Sequence, residues 1–429
     1  MSSDRVTLTC DICVVGRGLI GAAAAKYLTV INMNSSIVAI GPDELMAKES
    51  EIFGAHHDEG RITRKTDINP IWALLAQRSI DHYRKIEHES GVHFYDEIGH
   101  LVVGMKDGEH IRKVLANAKA SGIVAKKLDK NFLAKKYTFM RFPDNCEGIL
   151  ESNDSGWVSA RRQVDAQLAI ATKHGCIQVR VPVRAVQSCN IIVNGKYIKG
   201  FKVHGEDGSI IVAKKVLIAT GSNCSHLLSS VLTPAHSQLD MHIRTAQTIK
   251  LKVADHDAAL LADMPTIIYK VGPGDYDWCY LLPPILYPDG CIWLKIGGGQ
   301  KITLETQSDV ARWYNRKGWG TVLTKQHQSN KEAMLSVLDS LFPGLRSRAT
   351  EVKDDTCVTV HTCSKLPFIG EVPNAPKGIF LATGDNGGAA KSADEIGRLA
   401  AISVSEMEWA DQELSSEMFL PVLKHYSKY

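Results

Sequence analysis

The chain has 429 residues, of which 44% are hydrophobic and 23% are charged, and its formal net charge is +3. This length predicts about two to three domain-sized units, with a core that needs no disulfides. A charge so close to balance gives no argument for nucleic acid or for an anionic membrane surface as a partner. No stretch has the run of about 18 uncharged apolar residues that a membrane span requires.

Cysteine usage indicates a reducing compartment. The ten cysteines stand at irregular spacings, without the compact framework of small secreted proteins. Cys10 and Cys13 form a CxxC, but no second pair follows at a matching spacing, so two packed strand residues explain them better than a metal site. No signal peptide is predicted, and Ser427-Lys428-Tyr429 lacks the terminal leucine of a peroxisomal tripeptide. We therefore expect a cytoplasmic protein without a metal.

In chain order, the first elements follow a strand–helix–strand rhythm. The apolar run 11–15 precedes a glycine turn, a helix over 22–28 and a second apolar run over 37–40. Apolar residues at helical spacing predict a long helix over 70–90. Farther along, the patterns predict helices over 110–127, 161–174 and 331–341, strands over 176–183, 215–221, 266–271, 278–282 and 291–296, a hairpin turning at Asn194-Gly195, and a strand–loop–strand–helix unit over 357–404.

Gly16-Arg17-Gly18-Leu19-Ile20-Gly21 has the spacing GxGxxG between the first strand and the first helix. In a dinucleotide-binding turn, Gly16 makes the tight turn, Gly18 lets the backbone approach a pyrophosphate, and Gly21 lets the helix pack on the strand. The helix that follows offers its free N–H groups to the phosphates. An ordinary glycine-rich turn is the alternative.

An acidic residue that usually closes the second strand and binds the adenosine ribose is missing here. Its place is taken by Ile40-Gly41-Pro42. Asp43, Glu44 or backbone groups are the candidates for the ribose contact.

Residues 53–64, Phe-Gly-Ala-His-His-Asp-Glu-Gly-Arg-Ile-Thr-Arg, resemble the FGSHHGxTRIxR segment of the monomeric sarcosine oxidase branch of the D-amino-acid-oxidase-like flavoproteins. That branch also contains N-methyltryptophan, pipecolate and fructosyl-amino-acid oxidases. The resemblance implies that Arg61 lies over the flavin and that Arg64 binds the substrate carboxylate. The planar fork of arginine suits a carboxylate, although a solvated basic face is the alternative.

Residues 289–297, Asp-Gly-Cys-Ile-Trp-Leu-Lys-Ile-Gly, are similar to the strand that carries the oxygen-activating lysine of the family, which implies this role for Lys295. A lysine in an apolar strand is costly unless it reaches water or is used. The alternative is therefore a lysine on an edge strand. Tyr280-Leu-Leu-Pro283 resembles a segment whose tyrosine lines the substrate pocket, which implies this place for Tyr280.

Residues 357–370 resemble the segment in which a cysteine five residues before a threonine is joined to the flavin 8α-methyl group. Cys357 precedes Thr362 by that spacing, so the resemblance implies covalent FAD on Cys357. The alternatives are that Cys357 is a buried small residue, or that Cys363 is the attachment point.

Residues 382–391, Ala-Thr-Gly-Asp-Asn-Gly-Gly-Ala-Ala-Lys, are similar to the small-residue loop that meets the flavin pyrimidine ring. The resemblance implies that Gly384, Gly387 and Gly388 approach the flavin and that Lys391 helps to hold the substrate carboxylate. The alternative for Lys391 is an exposed lysine in the first turn of a helix. Gly299 and Gly388 stand where sarcosine oxidases carry active-site histidines, so we expect a bulkier or cyclic substrate.

These features predict an α/β protein with a Rossmann-type FAD-binding domain and an interleaved α+β substrate domain that contains a large mixed or antiparallel sheet. The expected boundaries are 1–90, 155–235 and 342–429 for the FAD-binding domain, and 91–154 and 236–341 for the substrate domain. The expected protein is a monomer.

The predicted function is oxidation of the C–N bond of a small secondary, cyclic or N-methylated amino acid, with dioxygen as the second substrate and H2O2 as a product. Three alternatives are a flavoenzyme that dehydrogenates a carboxylated heterocycle in biosynthesis, a nicotinamide-dependent dehydrogenase, and a non-catalytic flavin-binding protein.

Overall fold

The computed structural model describes residues 6–49, 54–193, 195–232, 238–272, 274 and 278–424. Phe53, Asn194 of the predicted hairpin turn, and the terminal Ser427-Lys428-Tyr429 lie outside these residues. Within these ranges, no helix combines the length and apolar character needed to cross a membrane. All ten cysteines are free thiols.

Strands and helices alternate along most of the described chain. The strands are β1 (Val6–Val15), β2 (Ile37–Ile40), β3 (Gly60–Thr63), β4 (Tyr95–Asp96), β5 (His100–Met105), β6 (Lys126–Asp129), β7 (Cys146–Glu151), β8 (Gly156–Ser159), β9 (Ile177–Val179), β10 (Val183–Val193), β11 (Lys196–Gly205), β12 (Ile210–Ile218), β13 (Met241–Lys252), β14 (Thr266–Lys270), β15 (Trp278–Leu286), β16 (Ile292–Gly298), β17 (Thr303–Leu304), β18 (Glu351–Thr362), β19 (Phe368–Glu371) and β20 (Ile379–Thr383). The α-helices are α1 (Leu19–Ile31), α2 (Glu44–Glu49), α3 (Pro70–Ser90), α4 (Glu109–Ala120), α5 (Lys130–Lys136), α6 (Ala160–Lys173), α7 (Cys224–Leu228), α8 (Asp255–Leu260), α9 (Gln307–Asn315), α10 (Thr321–Leu341), α11 (Leu345–Arg348) and α12 (Ala393–Val404).

The first sheet has the order β10-β11-β12-β1-β2-β9, and β20 continues it from the C-terminal half of β12. β1 runs parallel to both β2 and β12, and β20 also runs parallel to β12. Parallel strands are buried on both faces and read as apolar runs, as the four buried residues of β2 do. α1 and α12 pack on this sheet through a cluster that includes Ala24, Ile396 and Ala400. The arrangement is the predicted Rossmann type.

The second sheet has the order β17-β13-β16-β15-β14-β5-β7-β6, and β18 also pairs with β13. Most of its neighbours are antiparallel and the pair β14–β5 is parallel, so the sheet is mixed, as predicted. β18 pairs with β13 over residues 351–362, which the predicted boundaries place in the FAD-binding domain. Local sequence gives no sign of this long-range partner. The division of the chain into domains stays a prediction.

A small third sheet, β3-β8-β4, lies beside the second sheet and presents Arg61 from β3. Gly60 at the start of β3 permits this packing. A Cβ atom at Gly60 would lie 2.8 Å from Ile285 Cδ1 and 3.1 Å from Leu282 Cδ2, both in β15.

Turn residues decided where the predicted elements end. The helix predicted over 70–90 is α3, which begins at Pro70 after the Asn69 cap and ends before Gly91 at φ 71°. The helix predicted over 110–127 was too long. It ends at Ala120 because Gly122 takes φ 65°, and β6 follows. The strand predicted over 176–183 is likewise interrupted before Pro182, which has no backbone N–H.

A buried carboxylate joins the helices behind the first sheet. Asp394, at the start of α12, is 2.6 Å from Lys26 Nζ in α1 and accepts a hydrogen bond from Gln167 Nε2 in α6 at 2.9 Å. Burial acts to raise the pKa of Asp394, but Lys26 together with the hydrogen bonds from His82 and Gln167 holds it well below its usual range. These contacts fix the beginning of α12, and with it the loop that precedes it.

Candidate active site

The GxGxxG turn is built as the sequence predicts. Gly16 has φ 109°, and a Cβ atom there would lie 2.3 Å from Ala219 O. A Cβ atom at Gly21 would lie 1.9 Å from Gly16 O. Gly18 is the N-cap of α1, and no side chain caps that end, so its first N–H groups remain for a ligand. A cavity of about 460 Å³ adjoins this helix terminus.

Arg17 lies beside Gly41, the position after β2 where the acid is missing. Its guanidinium donates to Gly41 O at 3.3 Å and to Gln178 Oε1 at 2.6 Å. Asp43 accepts a hydrogen bond from Met46 N at 2.9 Å and therefore caps α2. Asp43 is not among the described residues that line the 460 Å³ cavity, whereas Glu206 is. A ribose contact by Asp43 stays a prediction.

A larger cavity of about 750 Å³ adjoins the first and extends towards the second sheet. The two share wall residues, among them Leu19, His57 and Ala389. The predicted residues that line the larger cavity are Arg61, Arg64, Tyr280, Cys357, Gly387, Gly388 and Lys391. Gly384 lines the smaller cavity. The fold thus brings most of the predicted site together from distant parts of the chain.

Lys295 is not among the described residues that line this cavity, but its ammonium donates to Asp58, which lines it, and to Gly60 O. Lys295 is fully buried in β16, between β13 and β15, so the alternative of an edge-strand lysine in water is wrong. Burial lowers the pKa of Lys295 to about 8, although Asp58 opposes this effect. The groups that contact the Asp58 carboxylate are Lys295 Nζ (2.7 Å), Tyr287 Oη (3.0 Å), Lys250 Nζ (3.8 Å) and the Arg61 guanidinium.

Asp58 and Arg61 therefore stabilise each other's charged form inside the protein. Burial alone would raise the pKa of Asp58, but the surrounding cations keep it well below its usual range. Burial acts to lower the pKa of Arg61, and Asp58 reverses this to a net increase. Arg61 also donates to Ala55 O at 2.7 Å, so the guanidinium is fixed at the wall of the cavity.

The two residues predicted to bind a carboxylate meet at a third residue, Asp67. Arg64 Nη1 is 3.2 Å from Asp67 Oδ2, and Lys391 Nζ is 2.8 Å from the same oxygen. Lys391 is 4% exposed, so the alternative of an exposed first-turn lysine is wrong. Burial lowers the pKa of Lys391 to about 8, whereas Asp67 acts to raise it.

Cys357 is half-buried in β18, opposite Ala246 of β13. Burial raises the pKa of its thiol, and nearby cations such as Arg61 and Lys301 act in the opposite direction. Cys363 is exposed and is not among the described lining residues of either cavity. The structure thus favours Cys357 over Cys363 as the thiol next to a ligand.

Of the two glycines that replace histidines of the family, Gly388 opens the cavity. A Cβ atom at Gly388 would meet nothing closer than Trp72 Cε3 at 3.9 Å, so the first atom of a side chain would fit without a clash, and glycine leaves that space to the cavity it lines. Gly299 has φ +86°, and a Cβ atom there would lie 2.4 Å from Asn330 Oδ1. Gly299 is not among the described lining residues, so its contribution to a larger pocket is unsupported.

The sequence reasoning missed several charged residues of the site, among them Asp58, Asp67 and Lys301. Asp58 could have been found, because it stands where the family segment FGSHHGxTRIxR has a glycine. Asp67 and Lys301 carry no such signal. Lys301 lines the larger cavity, with its Nζ 3.5 Å from Thr359 Oγ1, and no described carboxylate lies within 4.0 Å of it.

The described residues fit an FAD molecule. The glycine cradle and the uncapped end of α1 suit a pyrophosphate, and the adjoining larger cavity gives room for a ring system and a small substrate. His57 lies where the cavities meet, and neither of its buried ring nitrogens has a hydrogen-bond partner among the described residues. Among the described residues, no cluster could hold a metal ion.

Comparison with known proteins identifies the family of the chain. Residues 11–401 match the family model described as FAD dependent oxidoreductase (DAO). N-methyl-L-tryptophan oxidase of Yersinia pestis (strain Pestoides F) is 22% identical over 404 residues, which are 91% of this chain and 94% of the relative.

Solved structures share the fold. NikD, an unusual amino acid oxidase essential for nikkomycin biosynthesis, superposes with a TM-score of 0.73 at 17% identity, covering 99% of this chain and 100% of NikD. Iminodiacetate oxidase from Chelativorans sp. BNC1 gives 0.68 at 17% identity, covering 96% and 99%.

Proposed function

This chain belongs to the FAD dependent oxidoreductase (DAO) family, and from that premise we propose that it oxidises the C–N bond of a small secondary, cyclic or N-methylated amino acid, with dioxygen as the final electron acceptor and H2O2 as a product. One observation carries this proposal. Arg64, before α3, and Lys391, before α12, converge on one cavity that adjoins the dinucleotide turn. Two cations at the wall of a flavin-sized cavity, Lys391 buried and Arg64 half-buried, suit a substrate that carries an acid group.

Different side chains of the cavity bind and orient the substrate. Bound FAD would supply the two-electron acceptor chemistry. Arg64 and Lys391 hold the substrate carboxylate, which orients the C–N bond in the cavity. Tyr280, which lies across Gly297 of β16, forms a neighbouring wall. The space beside Gly388 admits a ring or a bulky side chain, so proline-like or aromatic N-methyl amino acids are preferred over sarcosine.

The proposal is tested by mixing the FAD-loaded enzyme anaerobically with sarcosine, N-methyltryptophan, proline and pipecolate. The bulkier or cyclic amines are expected to bleach the yellow flavin absorbance, and admission of air is expected to restore the colour and release peroxide. If none of a broad set of amines bleaches the flavin, the protein is a non-catalytic flavin-binding protein. Bleaching that oxygen does not reverse indicates a dehydrogenase, and a protein that binds NAD without flavin contradicts the proposal.

We also infer a covalent bond between Cys357 and the flavin 8α-methyl carbon. The new S–C bond replaces the thiol proton and one 8α hydrogen, and dioxygen takes up the two electrons. After acid precipitation, yellow colour is expected in the pellet of the wild type and in the supernatant of Cys357→Ser. Cys363→Ser is the matched control and should keep its colour in the pellet. Colour in the Cys357→Ser pellet would rule out this bond.

A further inference from the structure

Asp67 lies between the two cations to which the proposed function assigns the substrate carboxylate. Its Oδ2 atom is 3.2 Å from Arg64 Nη1 and 2.8 Å from Lys391 Nζ. Its Oδ1 atom accepts a hydrogen bond from Asn69 N at 3.1 Å, in the turn that begins α3. Both carboxylate oxygens are therefore engaged, and the turn fixes them in place.

The cations face the cavity, and Asp67 lies behind them. Arg64 and Lys391 line the larger cavity, whereas Asp67 is not among its described lining residues. An ammonium has three N–H donors and a guanidinium has five. Among the described residues, Asp67 is the one acceptor that either side chain contacts. Most of their donors therefore remain for a ligand in the cavity.

We propose that Asp67 is the positioning residue of this pair: it ties Arg64 to Lys391 so that both grip one substrate carboxylate, and it keeps Lys391 protonated. This role rests on the proposed function, because it requires a substrate with an acid group. Without a counter-ion, the buried Lys391 and the half-buried Arg64 would repel each other, and the lysine would lose its proton more readily.

The balance of charges around Lys391 supports this role. Burial lowers its pKa to about 8 and Arg64 acts in the same direction, whereas Asp67 is the largest influence that raises it. Burial would raise the pKa of Asp67, but the two cations hold it well below its usual range. A carboxylate at this distance shifts the pKa of its partner by about 1 to 3 units. Without Asp67, Lys391 would therefore deprotonate near neutral pH.

No other nearby group replaces Asp67. Glu151 is engaged by the backbone N–H groups of residues 65 and 66. His100 is fully buried, and burial and the nearby cations hold its pKa well below the usual range, so it is neutral. Burial also lowers the pKa of the half-buried His110. Tyr83 donates its hydroxyl to Lys391 O, and burial raises its pKa.

The test is calorimetric titration of the FAD-loaded protein with acetate between pH 6 and pH 9. In the wild type, acetate binding is expected to weaken as the pH rises through about 8, because Lys391 loses its proton there. In Asp67→Asn the weakening should begin about one pH unit lower or more. Near pH 7.5 this variant should bind acetate about 3- to 200-fold more weakly than the wild type, which is the loss of protonated Lys391 expected when its pKa falls by about 1 to 3.

Two control variants separate this role from simple structural damage. Lys391→Met should remove the pH-dependent loss of binding in either background. Asp81→Asn removes an exposed carboxylate paired with Lys65 and should leave the wild-type profile unchanged. Equal weakening of Asp67→Asn at every pH, or a wild type without the loss near pH 8, overturns the proposal. Acetate binding needs no amine oxidation, so failure of the proposed function is recognised separately by the absence of flavin bleaching.

Discussion

Replacing Lys295 by methionine is expected to slow the reaction of the reduced enzyme with dioxygen by about 100- to 1000-fold, while anaerobic reduction by the amine changes little. Dioxygen becomes negatively charged as it accepts electrons, and a buried ammonium stabilises that charge strongly because little water screens it. Lys295 is fully buried, and its Nζ lies 2.7 Å from Asp58 Oδ2 at the cavity wall. Methionine keeps much of the side-chain volume and removes the charge.

The pH dependence gives this prediction a second measurement. Burial lowers the pKa of Lys295 to about 8, so the ammonium is present below that pH and is lost as the pH rises through it. The oxygen reaction of the wild type should therefore slow above about pH 8, and that of Lys295→Met should not. Stopped-flow mixing of reduced enzyme with oxygenated buffer measures both rates.

Lys250→Met is the matched control, because Lys250 is 3.8 Å from the same Asp58 carboxylate but also pairs with Asp355 at 2.6 Å. It should have a much smaller effect on the oxygen reaction than Lys295→Met. Equal slowing of reduction and reoxidation in Lys295→Met would remove the proposed role of Lys295 in the oxygen reaction.

Replacing Arg64 by alanine is expected to lower kcat/KM for a carboxylate substrate by about 30- to 4000-fold, because truncating one partner of a buried, hydrogen-bonded charge pair costs about 2–5 kcal/mol. The loss should be small for the amide of the same substrate, which presents no charge to Arg64. Asp67 keeps Lys391 as its partner in this variant, so no unpaired buried charge is created.

Steady-state kinetics with the acid and its amide measure this difference directly. Arg84→Ala, at a side chain that is 55% exposed, is the control for the loss of a surface arginine and should behave as the wild type. The same loss for acid and amide would mean that the variant damages the cavity. An unchanged kcat/KM for the acid would show that Arg64 does not hold the carboxylate.

The family and the fold class could be predicted from the sequence, and both predictions are confirmed. The reason is that the informative features are local. Gly16 is required by the φ of 109° that its own turn imposes, and Gly21 by a contact within the strand–turn–helix unit, because a Cβ atom there would lie 1.9 Å from Gly16 O. The run Ile37–Ile40 is buried throughout, as a central parallel strand should be. Turns, caps and apolar periodicity depend on neighbours in the chain, so a single sequence contains them.

The place of each strand in its sheet depends on long-range pairing and is not contained in local sequence patterns. Alternation over residues 291–296 predicts a strand, but it does not distinguish a central strand from an edge strand. Lys295 was therefore open to two interpretations until the pairing of β16 with β13 and β15 placed it in the interior. The pairing of β18 with the second sheet was hidden for the same reason.

The sequence alone determined the kind of cofactor, the glycine cradle and the residue types that suit a carboxylate, because each rests on a short segment. Only the tertiary structure decided that Asp58 holds Lys295 and that Asp67 joins Arg64 to Lys391. Ion pairs between distant segments depend on how the sheets pack. They set the charge and the protonation of the site, and no periodicity or spacing along the chain encodes them.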